Sequence, residues 1–180
     1  MNLNLGSGYK QIDGYMNVDN NALCKPDYLV DISNEVWPFE DNTIDDVMLY
    51  HVLEHIGDGF FHLMQELYRV CKPNSVVDIR VPHPRHDNFI IDPTHIRPIM
   101  PGTLAMFSKK HIQADMDNDG RETPIAFMYD VDFELTYLNY TLTTKYDKLF
   151  QTLTNDECQH IVDSSYNVIE EILMKLKVIK

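Results

Sequence analysis

The chain has 180 residues, 44% of them hydrophobic and 24% charged, which suits one soluble globular domain with a sizeable core. A formal net charge of −13 disfavours bulk nucleic acid as a partner, because such binding relies on neutralising phosphates. No apolar run is long enough to cross a membrane and the N-terminal residues lack the basic start and apolar core of a signal peptide, while three scattered cysteines, Cys24, Cys71 and Cys158, fit neither a disulfide framework nor a zinc site. The expected location is therefore a reducing one, the cytoplasm.

In chain order, Asn2-Leu3-Asn4-Leu5 reads as a short apolar strand running into the turn Gly6-Ser7-Gly8. A second apolar run, Tyr15-Met16-Asn17-Val18, ends in Asp19. A strand, a Gly-x-Gly turn and an acid at the next strand's tip form the layout of a nucleoside-cofactor site. Taken alone, a Gly-Ser-Gly is more often a plain turn. About ten residues separate Gly8 from Asp19, too few for a full crossover, so the first helix is predicted to shrink to a turn or two near Tyr9 to Ile12. Tyr28-Leu29-Val30-Asp31-Ile32 is a third apolar run, and Trp37 to Asn42 reads as a loop. Asp45 to Tyr50 is a buried-type strand with His51-Val52-Leu53-Glu54-His55 directly after it. Phe60, Leu63, Met64, Leu67 and Val70 carry helical spacing, which Lys72-Pro73-Asn74 is predicted to end. Ser75 to Val81 is a further strand.

The first eighty residues thus predict an α/β protein, a mostly parallel sheet with helices on its faces. Beyond them the pattern loosens. His83 to Pro101 is rich in Pro, His and Asp and reads as a functional loop, with a short helix near Gly102 to Phe107. Asp115 to Glu122 is a charged turn, Phe133 to Tyr140 a strand, and Thr154 the cap of a helix running to about Ser164. Ile172 to Ile179 fits a closing strand and, less simply, a helix. The aromatic stripe Phe127, Tyr129, Phe133, Tyr137, Tyr140 is predicted to be sheet core, and Lys175, Lys177 and Lys180 a solvated face. Residues 1–180 read as a single domain, with a cofactor-binding half over 1–84 and an acceptor-side loop and closing strands over 85–180.

Six segments taken together resemble a known family: Leu3 to Gly8, Gly14 to Asp19, Asp31-Ile32, Pro38 to Asp45, His51-Val52-Leu53-Glu54-His55-Ile56, and Glu66 to Pro73. In order and spacing they are similar to small class I S-adenosylmethionine-dependent methyltransferases. The resemblance implies a Rossmann-like seven-stranded methyltransferase fold, mostly parallel with an antiparallel edge, and S-adenosylmethionine as cofactor. It implies that Gly6, Ser7 and Gly8 line the methionine end, that Asp19 holds the ribose, that Asp31 and Ile32 meet the adenine, and that His51 lies near the transferred methyl. The family's third glycine is missing, since Tyr9-Lys10-Gln11 follows Gly8, and Lys72-Pro73-Asn74-Ser75 replaces its Lys-Pro-Gly-Gly turn.

Outside these motifs, His83-Pro84-Arg85-His86-Asp87 and Asp92-Pro93-Thr94-His95 are the most distinctive segments. One reading is an acceptor site in which His86 or His95 takes a proton from the substrate. A second is a divalent metal site, and a third is loop histidines that hydrogen-bond the backbone. The catalytic candidates are His86 and His95, and no metal ligand is assigned. Glu54 and His55 read as a helix N-terminus rather than as chemistry. The expected function is methyl transfer from S-adenosylmethionine to an O or N atom of a small-molecule or side-chain acceptor. A non-catalytic cofactor-binding or regulatory module is the alternative, and a metal-dependent hydrolase on the His/Asp loop a weaker third.

Overall fold

A computed structural model describes residues 1–180. Its strands are β1 (Asn2–Leu5), β2 (Met16–Asp19), β3 (Tyr28–Leu29), β4 (Ile44–Tyr50), β5 (Cys71–Pro82), β6 (Phe133–Leu142) and β7 (Ile169–Val178). They form one seven-stranded sheet in the order β3-β2-β1-β4-β5-β7-β6. The strands from β1 to β5 run parallel, and β7 lies antiparallel between β5 and β6. Chain order reverses between β1 and β4, the switch point at which open α/β sheets bind ligands.

Strand alternation decides which face is buried. Val47 and Leu49 of β4, Val77 and Ile79 of β5, and Ile172, Met174 and Leu176 of β7 join one core with Phe60, Leu63, Met64, Leu67 and Val70. The last five lie on α1 (Phe60–Val70), whose i, i+3, i+4 spacing forms a single apolar stripe. The opposite face carries Met48, Tyr50, Asp78, Arg80, Leu173 and Lys175, all half-buried. These residues pair among themselves, with Arg80 over the Tyr50 ring at 4.1 Å and Lys175 Nζ 3.3 Å from Asp78. Helices on the faces are thus only partly realised, because the early connections carry no α-helix. The β1–β2 connection is turns alone, β2–β3 has a 3-10 turn at Ala22–Cys24, and β3–β4 is a loop.

The expected short helix near Tyr9 to Ile12 is therefore absent. Side chains replace it: Asn4 Nδ2 donates to the Lys10 carbonyl and to Asn17 Oδ1, and Asn17 Oδ1 also accepts from Ile12 N. Gln11 Nε2 donates to the carbonyls of Cys24 and Lys25. Two further corrections are local. The helix α1 stops at Val70, and Lys72-Pro73-Asn74 lies inside β5 as a bulge, with Asn74 at φ +69°. Of the aromatic stripe only Phe133 is fully buried; Phe127, Tyr137 and Tyr140 are exposed and Tyr129 stacks on Phe61. Lys180 is exposed as expected but lies beyond the end of β7, and its Nζ donates to the carbonyls of Arg69 and Cys71.

The segment between β5 and β6 holds four helices: α2 (Asp87–Ile90), α3 (Pro101–Ala105), α4 (Lys109–Asp117) and α5 (Ile125–Met128). The helix α4 takes the first part of the predicted charged turn, and Ser108 caps it by accepting from His111 N. Between β6 and β7 lie α6 (Thr144–Phe150) and α7 (Asn155–Ser164). A reciprocal Thr154–Glu157 box starts α7, as the sequence indicates. No helix is long and apolar enough to cross a membrane.

Candidate active site

The carboxyl ends of β1 to β4 enclose a cleft of about 340 Å³, lined by Gly6, Asp19, Asp31, Ile32, His51 and Val52 among others. That volume lies within the range of small-molecule sites, roughly 300–1,000 Å³. Gly6 has φ +63°, and a Cβ built on it would stand 2.5 Å from Val52 Cγ2. Glycine is therefore required there twice over, by backbone and by space. Gly8 has φ +51° and donates its N–H to Asp19 Oδ2 at 2.8 Å, while Asp19 Oδ1 accepts from Asn21 N. Asp19 thus ties the glycine turn to the end of β2. Each of its oxygens keeps acceptor capacity for a ligand hydroxyl.

Asp31 is held in the same way. Its Oδ1 accepts from Ser33 N and Oγ, and its Oδ2 from Asn34 Nδ2. Those hydrogen bonds, Ser33 first and Asn34 next, keep the carboxyl below its ordinary range. The Ile32 carbonyl accepts from Trp37 Nε1 at 3.1 Å, which fixes the next turn. Ser7 is buried, and its Oγ has no partner. It faces a smaller chamber of about 210 Å³ beyond Gly6, which Lys10, Arg80 and Glu171 also line.

His51 stands where these spaces meet. It lines the cleft, the smaller chamber and a third, polar pocket of about 450 Å³ shared with Pro82, Asn88, His95, Thr141, Glu170 and Glu171. Its backbone is left-handed, φ +56°, an uncommon state for a residue with a Cβ. The bond from His51 N to the Arg80 carbonyl, 2.8 Å, holds the strand end in this state. The ring sits with Nε2 at 2.8 Å from Glu171 Oε1 and Nδ1 at 3.5 Å from Glu54 Oε1. Glu54 first and Glu171 after it raise the imidazole's pKa above the ordinary 6.5, against the opposing effect of burial.

Residues 11–78 match the family described as methyltransferase domain. No curated protein matches the chain in sequence. Among solved structures, a SAM-dependent methyltransferase of Archaeoglobus fulgidus is 19% identical with a TM-score of 0.63, covering 98% of this chain and 85% of its own. The chain has the class I methyltransferase fold. A SAM-dependent methyltransferase of Methanosarcina mazei aligns over 99% of this chain and 92% of its own, at 12% identity and a TM-score of 0.57. The cyclase SpnF also carries this fold, at 12% identity and a TM-score of 0.58 over 99% of this chain and 75% of its own. The motif resemblance and the family match over residues 11–78 point the same way, and the sheet order agrees with that fold.

Of the residues that the sequence marks in this methyltransferase fold, Gly6, Asp19, Asp31, Ile32 and His51 come together on one cleft. Ser7 lies on the adjoining chamber, and Gly8 acts through Asp19. The two candidate bases part company. His95 lines the polar pocket, with its Nδ1 3.1 Å from the Phe89 carbonyl and its Nε2 facing Glu54. His86 instead caps α2, its Nδ1 accepting from Asn88 N, and lines neither the cleft nor the polar pocket. The backbone-bonded loop histidine is the structure's description of His86. Sequence reasoning passed over Glu171 and took Glu54 only as an acid at a helix N-terminus. Glu54 sits in a 3-10 turn, Leu53–His55, fully buried with neither oxygen hydrogen-bonded. It does lie in the first turn of that short helix, as the sequence reading has it, but full burial without a hydrogen bond is more than such an acid needs.

Proposed function

We propose that the chain binds S-adenosylmethionine and transfers its methyl group to an oxygen or nitrogen of a polar acceptor. The observation that carries this is the convergence of Gly6, Asp19, Asp31, Ile32 and His51 on one cleft at the sheet's switch point. The residues fit the cofactor. Gly6 leaves room that any Cβ would fill, Asp19 and Asp31 offer acceptors for ribose and adenine, and Ser7 Oγ is an unpartnered polar atom at the turn. In this reading Lys10 and Arg80 take the carboxylate end and Glu171 the ammonium end. The glycine turn offers no run of N–H groups at a helix start, so it suits a cofactor without phosphates.

Bound there, the cofactor supplies an electrophilic sulfonium methyl, so the protein's main contribution is alignment. The polar pocket holds the acceptor beside His51, among Asn88, Thr141, Glu170 and Glu171. His51 is the group placed to receive the acceptor's proton, and Glu171 fixes the ring's orientation. Because His51 must be neutral to accept a proton and its pKa is raised, the rate of the metal-free, EDTA-treated chain is expected to climb with pH through an inflection above 6.5. Glu171→Gln removes one of the charges that raise it and should move that inflection down. A rate profile flat through this region, or one unmoved by Glu171→Gln, contradicts the role given to His51. The assignment itself is tested by calorimetry with S-adenosylmethionine. Saturable binding to the wild type that Asp19→Ala abolishes is expected, and an absence of binding to the wild type rejects the proposal. A non-catalytic module on the same fold would bind the cofactor yet release no S-adenosylhomocysteine with any acceptor class.

A further inference from the structure

We infer that Glu54, His55 and His95 form a divalent-cation site, suited to a borderline ion such as Zn²⁺. The inference does not rest on methyl transfer, since none of its three ligands is among the residues assigned to the cofactor. One ligand atom from each of the three side chains falls within 4.8 Å of the other two. Glu54 is fully buried, and neither of its oxygens has a hydrogen-bond partner. An ionised carboxylate in that state is costly unless a cation faces it.

The histidines are turned to supply what an ion would need. A carbonyl can only accept, so His95 Nδ1, 3.1 Å from the Phe89 carbonyl, carries the proton. The His95 Nε2 lone pair then points inward, 4.0 Å from Glu54 Oε1. Thr94 Oγ1 gives its one proton to Asp92 Oδ1 at 2.6 Å, so His55 Nδ1, 2.9 Å from Thr94 Oγ1, must donate to it. His55 Nε2 is left as the free lone pair. An imidazole oriented by a hydrogen bond from its other nitrogen is the usual outer-shell arrangement of a metal-bound histidine.

The competing account is an ion pair, with one or both rings protonated against Glu54. Its geometry is poor, because His95 Nε2 at 4.0 Å and the nearer His51 Nδ1 at 3.5 Å both leave Glu54 Oε1 without a hydrogen bond. The two rings also pack with centroids 4.6 Å apart, where two imidazolium charges would repel. Ligand bonds of about 2.0–2.2 Å around a tetrahedral Zn²⁺ set neighbouring ligand atoms roughly 3.3–3.6 Å apart, so the cluster needs only a modest contraction. His51 Nδ1, 3.5 Å from Glu54 Oε1, and Asp92 Oδ2, 3.7 Å from His95 Nε2, flank the same point. His55 lines the cofactor cleft and His95 the polar pocket, so an ion would join the walls of the two.

The test is calorimetric titration of the EDTA-treated full chain with ZnCl₂ alone, together with thermal melts with and without it. One tight ion per chain is expected, with a melting midpoint that rises on Zn²⁺ addition. Losing an outer-shell partner alone costs roughly 10–100-fold in affinity, so the isosteric Glu54→Gln and His95→Ala should weaken binding by at least that factor. Thr94→Val, on the exposed loop, should weaken it by about tenfold through His55. His111→Ala, at the distant Glu122 pair, should leave it unchanged. Absence of a tight ion in the wild type overturns the site. So does binding that Glu54→Gln, His95→Ala and Thr94→Val all leave unchanged, which is adventitious capture by surface histidines.

Discussion

Gly6→Ala is expected to destabilise the protein and to abolish binding of S-adenosylmethionine. Two independent costs act at this position. Alanine in the left-handed region, where Gly6 sits at φ +63°, costs about 1–2 kcal/mol. The added Cβ would meet Val52 Cγ2 at 2.5 Å, and overpacking of that kind adds about 1–3 kcal/mol. For a chain of this length such a loss lowers the melting midpoint by several degrees, at roughly 2–4 °C per kcal/mol. The binding effect has a separate cause, since Val52 lines the cleft and relief of the clash pushes its side chain into that space. Thermal melts and cofactor titration of Gly6→Ala, Val52→Ala and the double variant separate the two costs. Val52→Ala should recover part of the packing loss in the double variant and none of the backbone loss. Wild-type affinity in Gly6→Ala would show that this turn does not carry the cofactor.

The sequence made β1 to β5 legible because most are apolar runs closed by a glycine, an acid or a proline, and β4 is a buried-type run ending just before His51. It also made the Gly6–Asp19–Asp31–His51 cleft legible, because each residue stands at a strand's carboxyl end and so shares an edge of the sheet. The absent first helix was half legible. Its span was too short, but nothing local showed that Asn4 and Asn17 would organise the connection instead, because their partners lie on both sides of the turn. Glu54 escaped for a related reason. An acid in a short run of His, Leu and Glu looks solvated until the loop over 83–101 folds across it, with Ile96 N and Arg97 N both donating to the Glu54 carbonyl. Glu171 was hidden by alternation. It stands on the half-exposed face of β7, and only the antiparallel register with β5 brings it to His51. The exposed Tyr137 and Tyr140 show the reverse error, aromatic strand residues at an edge that no helix fully covers.

The cleft also depends on a buried polar clamp on the far side of the helix. Arg69 makes a two-pronged contact with Glu66, Nε to Oε1 and Nη2 to Oε2, both at 2.7 Å. The same guanidinium donates to the carbonyls of Phe39 and Trp37 and to Asp41, and Glu66 Oε2 accepts from Trp37 N. These bonds fasten α1 to the β3–β4 loop, and that loop holds Ile32 through the Trp37 indole. Burial pushes the Glu66 carboxyl up, but the hydrogen bonds from Arg69 and Trp37 outweigh it and leave the pKa lowered.

Arg69→Met should therefore remove far more than a surface ion pair. Leaving a buried carboxylate without its cation costs about 3–5 kcal/mol. The Arg69 side chain is still 28% exposed, so water can partly replace it, and about 3 kcal/mol is the expected value. The loss should appear in denaturant midpoints, with an unchanged slope if the unfolded state is unaffected. Arg69→Met with Glu66→Gln should recover part of it, because a neutral amide oxygen still accepts from Trp37 N and no buried charge is left over. Cofactor affinity should fall in the single variant as the Trp37–Ile32 turn loosens, and return partly in the double. A cost no larger than that of a solvent-exposed pair, about 1 kcal/mol or less, would mean that the loop is held by the packing of Trp37 and Phe39 alone, with the clamp incidental to it.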